Sequence, residues 1–371
     1  MPHKFRIAYF AHAIRSDWNN GNAHFLRGLL RSLGELGHEV SIFEPEDGWS
    51  ISNLRTEAHG EESLRSFDLA YPELRVIPYR SELITDQHQL RANLRSVDIV
   101  ILHEWNPPAL AHRLLELRDE AGFRLVFHDT HHRASSSPEQ MRIYGIDRFD
   151  GAVVFGQALR DIYRQQFSIA RVWTLHEAAD VAVFRPQRKG TIKNDVIWIG
   201  NWGDEERSKE IYEYLLEPAK ELAGRSFTVF GVRYPPEAIC ALQKARVRYG
   251  GYLANLDAPA TYGSARLTTH IPRRQYSSAM RGIPTIRVFE ALACGIPLVS
   301  APWEDSEHLF RADDFRTVRN STEMKAALLG LLADPRAAEQ QAARGLETVQ
   351  ARHTCRHRAE ELTGICEELV Q

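Results

Sequence analysis

Apolar positions recur along the chain with two periods. Short apolar runs at Arg6–Phe10, Glu39–Phe43, Asp98–Leu102, Arg124–Phe127, Gly151–Val154 and Arg171–Leu175 read as buried strands. Between them lie stretches with helical spacing. Phe25, Leu26, Leu29, Leu30 and Leu33 make one stripe of a helix over about Ala23–Leu36, and Gly37 suits a left-handed stop. Pro107–Ala121 and Gln157–Gln165 read as further helices, and Ser137 with Pro138 as an N-cap and first helical residue. Strand and helix in alternation predict a parallel sheet with crossover helices. Residues 44–94 interrupt the pattern. They are polar with scattered apolar positions, as in an elaborated crossover with short helices.

VAVFRPQRKG changes the character of the chain, and the polar run Gln187–Asn194 reads as a linker. A second series then begins, with strands expected at Val196–Ile199, Phe227–Phe230, Val247–Tyr249, Arg266–His270, Leu298–Ser300 and Phe315–Val318. Within it, Arg281–Ser300 reads as loop, helix, turn and strand. Ile286, Phe289 and Ala293 form the apolar stripe, Pro284 fits the first turn, and Gly295 suits the helix end. Arg287 and Glu290 sit three apart on another face. Asn320 followed by Glu323 resembles a capping box. The expectation is an α/β chain of two Rossmann-like, doubly wound parallel-sheet domains, 1–184 and 185–353.

Composition narrows the function. The 371 residues are 43% hydrophobic, enough for two ordinary cores. The net charge of -3 argues against a general nucleic-acid or polyanion binder, so any attraction for anions must be local. Cys240, Cys294, Cys355 and Cys366 form no CxxC pair and read as reduced thiols. The absence of a long apolar segment makes a soluble, cytoplasmic protein the expectation, with peripheral membrane contact left open.

In doubly wound sheets ligands sit beyond the carboxyl ends of strands. After the first strand come Asn19–His24, where Gly21 permits close backbone approach, though no GxGxxG is present. After the fourth come His128, Asp129, Thr130, His131, His132 and Arg133. Three histidines so close together cannot readily converge on one ion, so no metal is expected. A strand-end histidine suits a hydroxyl or phosphate, and Asp129 could orient it. His103–Glu104 repeats the arrangement more weakly. In the second series, Gly200–Lys209 places Arg207 and Lys209 after a glycine loop, where they could clamp a diphosphate or be neutralised by the acidic residues between. Arg273, Arg274 and Arg281 make a local basic spot before the Arg281–Ser300 helix, whose N-terminus suits an anion. Solvated loops and an ordinary packing helix remain the plain alternative.

Four stretches together resemble glycosyltransferases of the GT-B fold, nearest the retaining family-four type and its spore-maturation-protein-like relatives. They are NNGNAH with LGELGHEVSIFEP, FHDTHH, LHEAADVAVFRP and IRVFEALACGIPLVS. The resemblance implies two domains facing across a cleft, with the C-terminal helix 354–371 completing the first. It implies that Glu290 binds the ribose of a nucleotide sugar and that Arg207 and Lys209 neutralise the diphosphate. Arg281, Pro284, Thr285, Ile286 and Arg287 would complete the donor site. His128, with Asp129, would serve the transferred sugar, and Gly21 the reaction centre. One departure stands out. The family's first motif glutamate would fall at position 282, which is Gly. The implied activity is metal-independent hexosyl transfer to an unidentified glycan, lipid-linked or small-molecule acceptor, with retention of configuration. A degenerate binding protein and a GT-B-fold epimerase or phosphorylase are the competing readings. Trp18 and Trp105 are the expected stacking residues for an acceptor, with Trp49 and Tyr71 expected to pack.

Overall fold

The computed structural model describes residues 3–84, 86–187 and 191–371. The stretch 188–190 of the expected linker lies outside the described residues. The chain divides into two units, one running to Glu177 and including Cys355–Gln371, the other Ala178–Thr354.

The first unit holds a seven-stranded sheet. Its strands are β1 (Arg6–Phe10), β2 (Glu39–Pro45), β3 (Val76–Tyr79), β4 (Ile99–His103), β5 (Arg124–Asp129), β6 (Gly151–Val154) and β7 (Val172–Thr174). They run parallel in the order β3-β2-β1-β4-β5-β6-β7. The predicted stripe Phe25, Leu26, Leu29, Leu30 and Leu33 is fully buried on the helix Ala23–Glu35. Gly37 follows with φ +90°. The same helix packs along the last helix, Cys355–Val370, which buries Leu362, Ile365 and Leu369. His38 Nε2 and Thr363 Oγ1 are 2.9 Å apart, and Trp173 Nε1 donates to Glu368 at 2.8 Å.

Residues 44–94 contain more order than their pattern predicts. Besides short helices they supply β3, VIPY, at the sheet edge. Its four residues are too few to show a period, and Pro78 reads as a strand breaker. An edge strand tolerates it, because one row of N–H groups has no ladder to join. Trp18 and Trp49 exchange their expected roles. Trp18 is buried, its indole N–H held by Glu57 at 2.7 Å, whereas Trp49 is exposed. Tyr71 is buried.

The second unit holds a six-stranded parallel sheet. Its strands are β8 (Asn194–Ile199), β9 (Phe227–Phe230), β10 (Val247–Tyr249), β11 (Ala265–His270), β12 (Leu298–Ser300) and β13 (Arg316–Thr317), ordered β10-β9-β8-β11-β12-β13. The helix Ile286–Ala293 packs against β11, β12 and the helix Pro335–Arg352. All its apolar residues are buried, and Gly295 turns the chain out with φ +62°. The helix starts later than its sequence suggests. Thr285 is the N-cap, extended at φ -83° and ψ 158°, so Pro284 precedes the cap rather than entering the first turn. Among the described residues no helix is long and apolar enough to cross a membrane.

The cap at Asn320 takes the amide of Glu323 at 2.9 Å, and the Glu323 carboxylate reaches back to the Arg319 amide at 2.9 Å. Asn320→Ala removes one half of this exchange. It should destabilise the second unit by about 1 kcal/mol, measured as a shift in urea midpoint with an unchanged m-value.

Candidate functional site

Parallel register builds the site of the first unit. His103 on β4 pairs directly with His128 on β5. Tyr9 on β1 has the same parity, so all three side chains rise from one face of the sheet. The Tyr9 hydroxyl and His128 Nδ1 are 2.8 Å apart, and His128 Nε2 is buried with no partner among the described residues. His103 Nδ1 lies 3.3 Å from His12 Nδ1, and His103 Nε2 lies 3.1 Å from Thr130 Oγ1. Burial holds His128 and His12 down to about 3, with the Arg133 charge assisting at His12. It lowers His103 as well, helped by its imidazole neighbours. These three rings are therefore neutral at ordinary pH.

One residue further on, Glu104 and Asp129 meet. Both are fully buried. Burial and then the Asp129 charge hold Glu104 well above the usual carboxylate range. Burial also raises Asp129, against the opposing pull of the Tyr163 hydroxyl at 2.6 Å and the His131 amide at 2.9 Å. Two carboxyl groups in one dry site resist ionising together, which favours one proton held between them. Arg133 offsets the remaining charge, donating to Glu104 Oε2 at 3.1 Å and to the Glu104 carbonyl at 2.7 Å. Its guanidinium lies 3.8 Å above the ring of Trp105, which is 44% exposed. Gly21 sits in the turn before Asn22, whose amide donates to Thr130 Oγ1 at 2.9 Å. The Gly21 loop is thus tied to the His128–Asp129 strand end.

The second cluster lies where β8 and β11 end. Arg207 is folded inward over the Trp198 ring, at 5.1 Å, and donates to the carbonyls of Asn201 and of Ile271, the latter at 3.2 Å. Burial, then the neighbouring charges of Arg273 and Arg287, lower it to about 9. Three arginines therefore converge. Arg287 pairs with Glu290, which is 0% exposed and also accepts from Tyr262 at 3.4 Å. Arg273 pairs with Glu206. His270, at the end of β11, bridges Ser300 Oγ and Thr285 Oγ1 at 2.9 Å each. Ser300 donates to the Ala301 carbonyl, so it accepts from His270 Nδ1, and Thr285 must donate to Nε2. The N-cap hydroxyl is thereby turned away from the helix, and Thr285 makes no side-chain cap.

The structure thus brings Arg207, Thr285, Ile286, Arg287 and Glu290 together, with Pro284 just before them. It leaves Lys209 and Arg281 outside. Lys209 is exposed, and Arg281 pairs with Glu304 at 3.5 Å on the surface. Sequence reading gave no role to His270, Tyr262, Tyr163 or His12. A histidine ending a strand, as in LTTHIP, was the available signal for the first. Among the described residues no three His, Cys, Asp or Glu side chains are grouped to hold a metal ion. Gly282 has φ +88°, and a Cβ there would collide with Ser306 Oγ. The left-handed backbone and the Ser306 side chain therefore both disfavour a glutamate at this position.

Residues 207–364 match a family model described as "Glycosyl transferase-like". No curated protein matches the sequence. Among solved structures, the chain is similar to the sucrose-phosphate synthase of Thermosynechococcus elongatus, at 14% identity and TM-score 0.71, covering 99% of both chains. It is similar to HepE of Anabaena in complex with UDP and glucose, at 13% identity and TM-score 0.72, covering 98% of this chain and 99% of that one. An alpha-glucosyltransferase bound to UDP and a 13-mer DNA is similar at 14% identity and TM-score 0.69, covering 98% of this chain and 100% of that one. These likenesses share the two-sheet α/β architecture of the GT-B fold.

Two measurements follow from this geometry. His270 is neutral when folded, so its contribution to stability is complete above the ordinary histidine pKa of about 6.5 and is lost as pH falls toward about 3. The stability advantage of wild type over His270→Gln should shrink by about 1.4 kcal/mol between pH 7.5 and 5.5 in urea titrations. Gly282→Glu should cost about 1–3 kcal/mol and leave nucleotide binding no stronger, as read by thermal melts with and without UDP.

Proposed function

We propose that this chain, a glycosyltransferase of the GT-B type by its fold and by the family of residues 207–364, takes a sugar from a nucleoside diphosphate and passes it to an acceptor hydroxyl. The observation that carries this reading is the convergence of Arg207, Arg273 and Arg287 at the start of the Ile286–Ala293 helix. The chain has no overall basic excess, so cations gathered at a helix start mark a local anion site. A departing diphosphate gains negative charge as the glycosidic bond breaks. Fixed cations and a helix N-terminus stabilise that charge most in the transition state, which is the requirement for catalysis. No metal is required by this scheme, since the arginines supply the charge.

Glu290 is the group we assign to the ribose. Arg287 and Tyr262 hold it rigid beneath the helix start. His128, with its unpartnered Nε2, is assigned to a hydroxyl of the transferred hexose, with Asp129 behind it. UDP is the first nucleotide to test, because two of the similar solved structures above carry it. Retention of configuration is the course that the family resemblance carries. The acceptor class stays open, nucleic acid included, since one similar enzyme is bound to DNA.

A thermal-shift screen with UDP-, GDP-, ADP- and dTDP-sugars tests the reading. A ligand at a hundred times its Kd adds about 2.7 kcal/mol of stability. Arg287→Ala and Arg273→Ala should each weaken nucleotide binding by roughly 10-fold or more. Binding without sugar turnover would point to the non-catalytic alternative, and no binding at all would refute the proposal.

A further inference from the structure

The first unit holds a hydrogen-bonded chain running from a half-buried imidazole to a buried carboxyl pair. His12 Nδ1 and His103 Nδ1 are 3.3 Å apart, His103 Nε2 and Thr130 Oγ1 3.1 Å, and Thr130 Oγ1 and Glu104 Oε1 3.4 Å. Glu104 is hydrogen-bonded in turn to Asp129. The direction of the chain follows from counting hydrogens. Thr130 has one hydroxyl proton and gives it to Glu104. Its oxygen accepts from the Asn22 amide, at 2.9 Å, and from His103. His103 therefore carries its proton on Nε2 and accepts at Nδ1. His12 must then carry its proton on Nδ1, which leaves a bare lone pair on Nε2. That nitrogen makes no hydrogen bond among the described residues.

We propose that His12 Nε2 receives the acceptor hydroxyl's proton and that His103, Thr130 and Glu104 relay a proton inward to the Glu104–Asp129 pair. The inference rests on the glycosyl-transfer reading. As the acceptor oxygen bonds to the sugar carbon, the bond from that carbon to the phosphate oxygen breaks. The acceptor O–H proton moves to His12 Nε2, and its electron pair stays on the oxygen. In step, Nδ1–H of His12 passes its proton to His103 Nδ1, Nε2–H of His103 passes its own to Thr130, and the Thr130 hydroxyl proton goes to Glu104. Glu104 hands the proton it held to Asp129. The nucleoside diphosphate leaves with the bonding pair, unprotonated. The chain returns to its starting state by the reverse relay to water.

The arrangement answers a difficulty in this site. An imidazole held neutral by burial is a poor resting place for a proton, but it can pass one on in a single step. The pair at the far end shares one proton, so it has one carboxylate still to fill. His12, touching the acceptor, is the catalytic residue of the proposal; His103, Thr130 and Glu104 act through it. The relay concerns the proton and not the face of attack, so it fits either stereochemical course.

Nitrogen-15 NMR of histidine-labelled protein tests the chain without any substrate. Wild-type His12 should appear near pH 7 as the Nδ1–H tautomer, and Thr130→Val should return it to Nε2–H, the form imidazole prefers in water. A wild-type His12 already protonated on Nε2, or one indifferent to Thr130→Val, overturns the relay. The second readout uses UDP-glucose with water and with azide, a nucleophile that has no proton to lose. Thr130→Val should lower the ratio of hydrolysis to glucosyl azide formation at least about 10-fold, and Thr130→Ser should restore it. Equal loss of both reactions also overturns the relay. If wild type neither binds nor cleaves any nucleotide sugar while the tautomers are as expected, the functional reading fails and the hydrogen-bonded chain stands.

Discussion

Parallel strand pairing places the carboxyl ends of every strand in a sheet on one edge, and both clusters described above are consequences of it. His103 and His128 stand 25 positions apart in sequence, and register alone sets them side by side. The next position on each strand brings Glu104 to Asp129. In the second unit the same rule gathers the loop after β8, carrying Arg207, and the end of β11, carrying His270. The connecting helices bury the apolar faces, and the rim is left to polar residues.

What that edge costs is desolvation. Glu104, Asp129 and Glu290 are withdrawn from water, Arg207 partly so, and each is compensated differently. Glu104 and Asp129, both raised by burial, lie beside the Arg133 charge. Glu290 is paired with Arg287. Arg207 rests on carbonyls and an indole face, and its charge is opposed by two more arginines. Leaving a buried charge incompletely paired is expensive, on the order of several kcal/mol per ion. Arg207, which has only carbonyl partners while Arg273 and Arg287 are each paired with a glutamate, is the member of the cluster that an anion would relieve.

Much of the fold was legible because burial imposes periods. Strands with both faces covered are apolar throughout, and the helix stripes at Phe25–Leu33 and Ile286–Ala293 repeat at three and four residues. Gly37 and Gly295 were readable because their left-handed turns favour glycine. The misses have equally physical causes. β3 is short and contains proline, so it has no period to read. Pro284 fits a first helical turn as well as it fits the residue before a cap. The burial of Trp18 is accompanied by a hydrogen bond to Glu57, a partner 39 residues away.

The site was legible by position more than by partnership. The strand-end histidines and the Arg281–Ser300 segment could be found by asking which residues follow each strand. The His12–His103 contact could not, because it spans 91 residues. Nor could Gly282 be recognised as a backbone requirement before its φ of +88° was known. The net charge of -3 speaks against a general polyanion binder and says nothing against a local anion site.

Recognition of a diphosphate by the Arg207–Arg273–Arg287 cluster is open to direct measurement. Calorimetric titration of UDP and of uridine, into wild type and into Arg273→Ala, tests it most directly. UDP should bind wild type at least about 10-fold more tightly than uridine does, and the difference should shrink in the variant. Equal affinities of UDP and uridine for the wild-type protein would contradict it.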